Sequence, residues 1–223
     1  MTAVRKEPSK DYWERLLPSC YETQVAVAET TNPELSSAPS SRTAASAQVS
    51  VAFVADEERR ELKRKLTERI RTEDPTGLWR PRWFNFIVEI AHEARSETSI
   101  GILLLDLSVE RDRQEKFQGL QVGLDLVWVS PDSRGKGLAQ GLVTGVKHWL
   151  SQACFARGAV SIGGLIVDFS AQAHSPGGIR LSNKLFSTVN DFCSRSPATR
   201  SGNPGPRWPV RQVLYRLDCR RSP

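Results

Sequence analysis

Residues 130–140, SPDSRGKGLAQ, interleave Arg134 and Lys136 with Gly135 and Gly137, between a β-branched run and a helical pattern. That mixture suits the binding of an anion. Backbone amides of residues 134–139 lie ahead of the first intrahelical hydrogen bond and point, with the helix dipole, at whatever sits above the turn. Glycine lets a ligand approach the main chain closely, and the two cations add positive charge at the rim. A pyrophosphate fits such a site. The same residues also fit a tight strand-to-helix turn whose glycines only satisfy geometry. Two better known phosphate loops are excluded. Gly137 stands where a P-loop needs Ser or Thr for magnesium, with Ser130 in place of its first glycine, and the third glycine of GxGxxG is missing.

Other reactive side chains are spread too thinly to suggest a metal or a covalent nucleophile. Cys20, Cys154, Cys193 and Cys219 form no CxxC pair, and His92, His148 and His174 lack metal-ligand spacing. Such cysteines fit a reducing compartment. The first 20 residues hold no apolar signal core, and no stretch reaches the roughly 18 apolar residues of a membrane helix, so a cytoplasmic protein without membrane contact is expected. The net charge of +6 resides at the carboxyl-terminal end, where Arg195, Arg200, Arg207, Arg211, Arg216, Arg220 and Arg221 face Asp218 alone. That end reads as a solvated tail or as a phosphate contact, and neither aromatic interleaving nor a nucleic-acid motif accompanies it.

The elements that must hold the 130–140 loop follow from the hydrophobic period. Residues 1–48 read as an amino-terminal extension, with a flexible linker over 30–50 whose Ser, Ala, Thr and Pro cannot offset their ordering entropy. Within the extension YETQVAVAE (21–29) is either a short strand or unstructured. Residues 49–223 form the folded domain. A strand is predicted at 49–56 and a helix at 57–73, with Leu62, Leu66 and Ile70 at four-residue spacing. Seven acids and seven bases between Asp56 and Asp74 make it a salt-bridged surface helix and not a basic patch. Trp79 and Trp83, in the turn-rich stretch 74–83, read as a lip over a pocket or as core. Long strands follow at 83–93, 99–110 and 119–130, an antiparallel meander whose first two strands are close enough for a hairpin. The loop then opens a helix over 138–156, buried along Leu138, Leu142, Val146, Trp149 or Leu150, and Ala153, and capped by Gly158. A strand at 160–170, a helix at 177–193 and a strand at 209–218 complete the order. A strand, helix, strand sequence leaving a meander requires parallel pairing. The expected fold class is α/β of the α+β kind, a mixed, mostly antiparallel central sheet flanked by helices.

In this setting the loop resembles the signature of the GNAT superfamily of N-acetyltransferases. That signature, Arg or Gln, two residues, Gly, one residue, then Gly or Ala, is met by Arg134, Gly137 and Ala139, and VWVSP (127–131) resembles the family's V-x-V-x-P strand end. The resemblance covers roughly residues 50–218. It implies acetyl-CoA as cosubstrate and no metal. The pyrophosphate would lie on the amides of Arg134, Gly135, Lys136, Gly137, Leu138 and Ala139, and the pantetheine beside Val127, Trp128 and Val129, where two strands splay apart. The partner would be an amine-bearing acceptor. A small molecule, a protein amine and an aminoacyl-tRNA all stay open, as does a homodimer.

The second family motif, N-x-x-A-x-x-L-Y, is met poorly. Aligned on Leu185, it puts Ile179 at the asparagine, Ser182 at the alanine and Phe186 at the tyrosine that in the family protonates the departing thiolate. No tyrosine lies between Tyr21 and Tyr215 to replace it. Ser182 and Ser187 are the local hydroxyls, and Asn183 beside Phe186 is the hydrogen-bonding candidate for the cofactor. Direct attack needs a neutral amine, and for a lysine-like pKa near 10.4 protonation at pH 7 imposes about 4.6 kcal/mol, so a base or water chain is required. The resemblance implies the Val129 amide as oxyanion donor, and Asp125, Glu89 and His92 are the titratable groups near where an acceptor should enter and so the candidate bases. Losing the acid slows such an enzyme by roughly 100 to 10,000-fold without abolishing it. The rival reading is a GNAT-like module that holds acyl-CoA or a protein partner without turnover.

Overall fold

A computed structural model describes residues 10–27, 45–75, 81–92, 99–111, 117–152, 165–173, 176–194 and 210–219. Its elements are α1 (Lys10–Leu16), β1 (Cys20–Val27), β2 (Ala45–Phe53), α2 (Asp56–Glu73), β3 (Phe86–His92), β4 (Gly101–Arg111), β5 (Phe117–Val129), α3 (Leu138–Ser151), β6 (Leu165–Ala173), α4 (Pro176–Ser194) and β7 (Val210–Cys219). The strands lie side by side in chain order in one seven-stranded sheet. Neighbours from β1 to β5 are antiparallel, and β6 pairs parallel with both β5 and β7. The architecture is the expected α+β one, a mixed and mostly antiparallel sheet with helices on both faces. Among the described residues no helix is long and apolar enough to cross a membrane.

Period-two alternation sends neighbouring side chains to opposite faces, and both faces are covered. Phe86, Val88 and Ile90 join Val49, Leu103, Leu120 and Phe169 beneath α3 and α4, which contribute Leu142, Val146, Trp149, Leu185 and Val189. Ile87, Ile102, Leu104, Leu126 and Trp128 point the other way, against Leu66 and Ile70 of α2 and against Phe84. The two helices share a face because both crossovers, β5 to β6 and β6 to β7, advance along the sheet in one direction with one hand. Asn85 explains why regular pairing in β3 begins at Phe86 and not at the expected residue 83. Its side chain accepts from the Leu107 N–H at 2.8 Å and donates to the Leu107 carbonyl at 2.7 Å, taking the place of a ladder partner.

The amino-terminal region departs from expectation. Trp13 and Leu17 of the α1 region are fully buried, the Trp13 ring stands edge-on to Phe86 at 5.5 Å, and the Trp149 indole donates to the Pro18 carbonyl at 2.8 Å. β1 pairs with β2 from Cys20↔Ala52 to Val27↔Ala45. The reading of 1–48 as an extension is therefore corrected for 10–27, which belong to the body, and for 45–48, which open β2. The cause is patterning: the apolar side chains here are few, but Val25 and Val27 alternate onto the face that Trp13 and Leu17 cover. Residues 28–44, Trp79, the 94–98 hairpin and Gly158 lie outside the described residues. α3 ends at Ser151, where the Gln152 N–H bonds the Trp149 carbonyl at 2.9 Å.

α3 can lie close to the sheet because two of its positions have no side chain. A Cβ on Gly141 would come within 2.7 Å of Ile90 Cδ1, and one on Gly145 would overlap Val49 Cγ1. In an open helix, alanine in place of glycine stabilises by about 1 kcal/mol. Here overpacking dominates, and Gly145→Ala is expected to cost about 1–3 kcal/mol, read as a lower urea midpoint. A raised midpoint would show that α3 stands further from β2 than this packing has it.

Candidate functional site

The candidate site begins with an extra residue in β5. Leu104 faces Leu126 and Leu105 faces Leu124, so Asp125 has no opposite number in β4 and forms a β-bulge. The bulge reverses side-chain parity. Before it, Leu120, Val122 and Leu124 point toward α3 and α4; after it, Val127 and Val129 do so, while Leu126 and Trp128 turn under α2. Pairing with β6 ends at the same point. The last β5–β6 partners are Leu124↔Ala171, yet β5 continues beside β4 to Val129↔Gly101, and β6 continues beside β7 to Ala173↔Cys219. The two parallel strands thus separate. The Ser130 N–H donates to the Ile100 carbonyl at 3.0 Å, which fixes the ladder's phase. Residues 126 and 128 turn their main-chain groups to β4, and Val127 and Val129 turn theirs to the side that β6 has left.

At the end of that open edge a short 3-10 turn, Pro131–Ser133, leads into the glycine loop. Gly135 (φ 79°) and Gly137 (φ 76°) take the left-handed conformation that side chains disfavour, and a Cβ on Gly135 would meet no atom within 4 Å. Gly137 is the N-cap of α3 without a side-chain cap, and the first intrahelical bond runs from Gly141 N–H to Gly137 O at 3.0 Å. The N–H groups of Leu138, Ala139 and Gln140 precede that bond and have no acceptor within the helix. Together with the αL turns they make a concave nest of donors suited to an anion. Lys136 is half-buried on this turn, and the Leu138 side chain is core, so only its main chain faces the nest.

Arg134 corrects the reading of the loop. Its amide donates to the Pro131 carbonyl at 3.3 Å, so the nest starts at Gly135. Its guanidinium is committed as well, with Nη2 on Asp74 Oδ2 and Nε on the Val129 carbonyl at 3.1 Å. Trp128 is corrected too: 1% exposed in the α2-side core, its indole does not line the open edge.

Asp125 and Glu89 both lie on the α2 face of the sheet. Both carboxylate oxygens of Asp125 accept from the Arg82 N–H, at 3.0 and 2.9 Å. Burial pushes its pKa up, against the opposing pull of the Arg82 and Trp83 amides and the Lys63 and Arg82 charges. Trp83 beside it is 43% exposed and not core, with the Arg59 guanidinium 3.8 Å from its ring centroid. Glu89, half-buried, pairs with Ser50 and Ile102 on the Ile87 face, so β4 lies between it and Asp125. His92 pairs with Ala47 at the end of β3. Across the sheet on α4, Ser182 is 2% exposed, Asn183 is exposed, and the Phe186 ring lies 5.9 Å from that of Phe169. The structure brings Val127, Val129 and residues 135–139 together and leaves Asp125 and Glu89 on the opposite side of the sheet from the α4 residues, while the His92 side chain lies outside the described residues. Among the described residues no cluster of His, Cys, Asp and Glu is arranged to hold a metal.

Two residues escaped the sequence reading, Asp74 and the buried Arg59. Asp74 carried a signal, an acid at the carboxyl end of a helix where the dipole disfavours it. The chain matches no protein-family model, and no curated protein matches it in sequence. What the site can do follows from its geometry.

Because the folded state raises the Asp125 pKa, it binds that proton more tightly than the unfolded chain, and this residue's contribution to stability grows as pH falls through the raised value. Asp125→Asn keeps a carbonyl acceptor for the Arg82 N–H but cannot titrate. Urea midpoints compared from about pH 7 to about pH 4 are expected to show the wild type gaining on the variant as pH falls. The opposite slope would mean that the neighbouring amides and cations outweigh burial.

Proposed function

We propose that the chain is a GNAT-superfamily N-acetyltransferase that moves acetyl from acetyl-CoA to a primary amine by direct attack, in a cytoplasmic setting. One observation carries this reading. β5 parts from β6 at a bulge, runs on to Val129 with no strand among the described residues paired to that edge and only the Val129 carbonyl taken by Arg134, and ends in a loop with two αL glycines at an uncapped helix start. A ligand fitting all three needs an anionic end for the nest and an extended chain with amides of its own for the edge. CoA has both, its diphosphate meeting the amides of residues 135–140 and its pantetheine pairing beside Val127 and Val129.

The chemistry asks little more of the chain. The amine nitrogen attacks the thioester carbonyl carbon, the oxygen gathers charge near the Val129 N–H, and collapse breaks the C–S bond. A preformed donor of this kind is worth about 100 to 1,000-fold. The nitrogen's proton leaves to Asp125 or to water. Asp125 is favoured over Glu89 because it stands at the separation point itself. The thiolate takes its proton from solvent, since Phe186 offers none. That phenyl ring packed on Phe169, and the burial of Ser182, favour the second reading, an acyl-CoA-holding module that turns over slowly or not at all.

Thiol release from acetyl-CoA across a panel of small amines, peptide amines and aminoacyl-tRNA distinguishes the two readings. Turnover on one class is the expected result, and calorimetric CoA binding with no turnover on any acceptor would establish the module. Gly137→Val forces a β-branched residue into the left-handed region, at about 1–2 kcal/mol, and should weaken CoA binding about tenfold. Unchanged affinity would remove the loop from the site.

A further inference from the structure

Asp74 is placed where a carboxylate has least reason to be. It caps the carboxyl end of α2, where the helix dipole is negative, with its N–H on the Ile70 carbonyl at 2.7 Å and its side chain only 10% exposed. Burial and dipole both work against its charge. The compensating group comes from 60 residues further along the chain, the Arg134 guanidinium. That same guanidinium donates through Nε to the Val129 carbonyl at 3.1 Å, and the Arg134 amide is held by Pro131. The end of α2, the end of β5 and the first residue of the glycine loop therefore meet at one side chain.

We infer that Asp74 is a positioning residue for the anion loop, acting through Arg134. The inference rests on the reading of that loop as a diphosphate site. Gly135 and Gly137 have more conformational freedom to lose than any other residue type, so a nest built on them is ordered only if its flanks are fixed. α3 fixes the far flank. Arg134, gripped by Asp74, fixes the near one. Its charge is spent on Asp74, so it serves as a two-pronged pin and not as a rim cation, which makes the planar guanidinium essential and its charge alone insufficient.

The test is calorimetric titration of CoA into the full chain as wild type, Asp74→Asn, Arg134→Gln, Arg134→Lys and the Asp74→Asn/Arg134→Gln double variant, below the lowest thermal midpoint of the set. Each single variant is expected to weaken binding about tenfold, with the double variant no weaker than the singles, because all break one coupled pair. Arg134→Lys should match Arg134→Gln, whereas a rim cation would be rescued by lysine. Wild-type affinity in Asp74→Asn, tighter binding in it, additive losses, or rescue by lysine each overturns the inference. If Asp74→Asn does not fold, the half-exposed Arg134 carries the test: equal losses in Gln and Lys support the pin, and unchanged affinity in either refutes it. A wild-type chain that binds no CoA refutes the diphosphate reading itself, a result distinct from CoA binding that is indifferent to Asp74.

Discussion

Between its pairings with Leu104 and Leu105, β5 carries one residue that β4 does not match, and the consequences of Asp125 reach across the molecule. An unmatched residue leaves main-chain groups without ladder partners and bends the strand. Here the side chain of the extra residue is put to use, its carboxylate accepting the Arg82 N–H and drawing residues 81–85 against the sheet. The parity reversal lets Trp128 fill the space under α2 while Val127 and Val129 stay with the larger core. A regular β5 would put the side chains after Leu124 on the wrong faces and would give β6 no reason to stop pairing at Ala171.

A separation in the middle of a sheet must be held open, because two exposed parallel edges would otherwise close or recruit other chains. Both sides are held by packing. α3 is drawn down onto β2 and β3 by Gly141 and Gly145, which fixes where its amino terminus lies. β1 and α1 cover the sheet's other end, and the Trp149 indole ties α3 to Pro18. The loop at the end of β5 thus hangs between two elements whose positions are set by buried contacts far from it.

Periodicity made most of this architecture legible. The meander, the order of helices and strands after it, and the apolar face of α3 all follow from spacing, because each long strand or helix repeats its pattern several times. What could not be read depends on single residues. One extra residue at Asp125 leaves the alternation of β5 looking regular in composition, since GLDLVWV is apolar on both sides of the slip. The body's use of residues 10–27 was hidden by low average hydrophobicity, though Trp13 and Leu17 are wholly buried. The left-handed turns of the loop were legible from its glycines, but the fate of Arg134 was not, because its partner Asp74 is distant in sequence and close only in the fold. Asp125 and Glu89 are both strand carboxylates in the sequence, and only register places the first at the separation and the second beyond β4.

A site built largely from main chain also explains why so little of it is written in side chains. The nest from Gly135 onward needs two residues that tolerate positive φ and a helix with no side-chain cap. The open edge needs a strand of the right parity, which Val, Leu or Ile supply equally. Neither requirement constrains the rest of the sequence, so it can drift widely while the backbone keeps its shape. Acid and base groups are different, for they must be particular atoms at particular points. It is there that this chain departs most from the pattern it resembles, with the Phe186 ring, which carries no hydroxyl, packed beside Phe169. Anion binding by main-chain amides and proton transfer by side chains therefore place separate demands on a sequence, and the first can be met by backbone geometry alone.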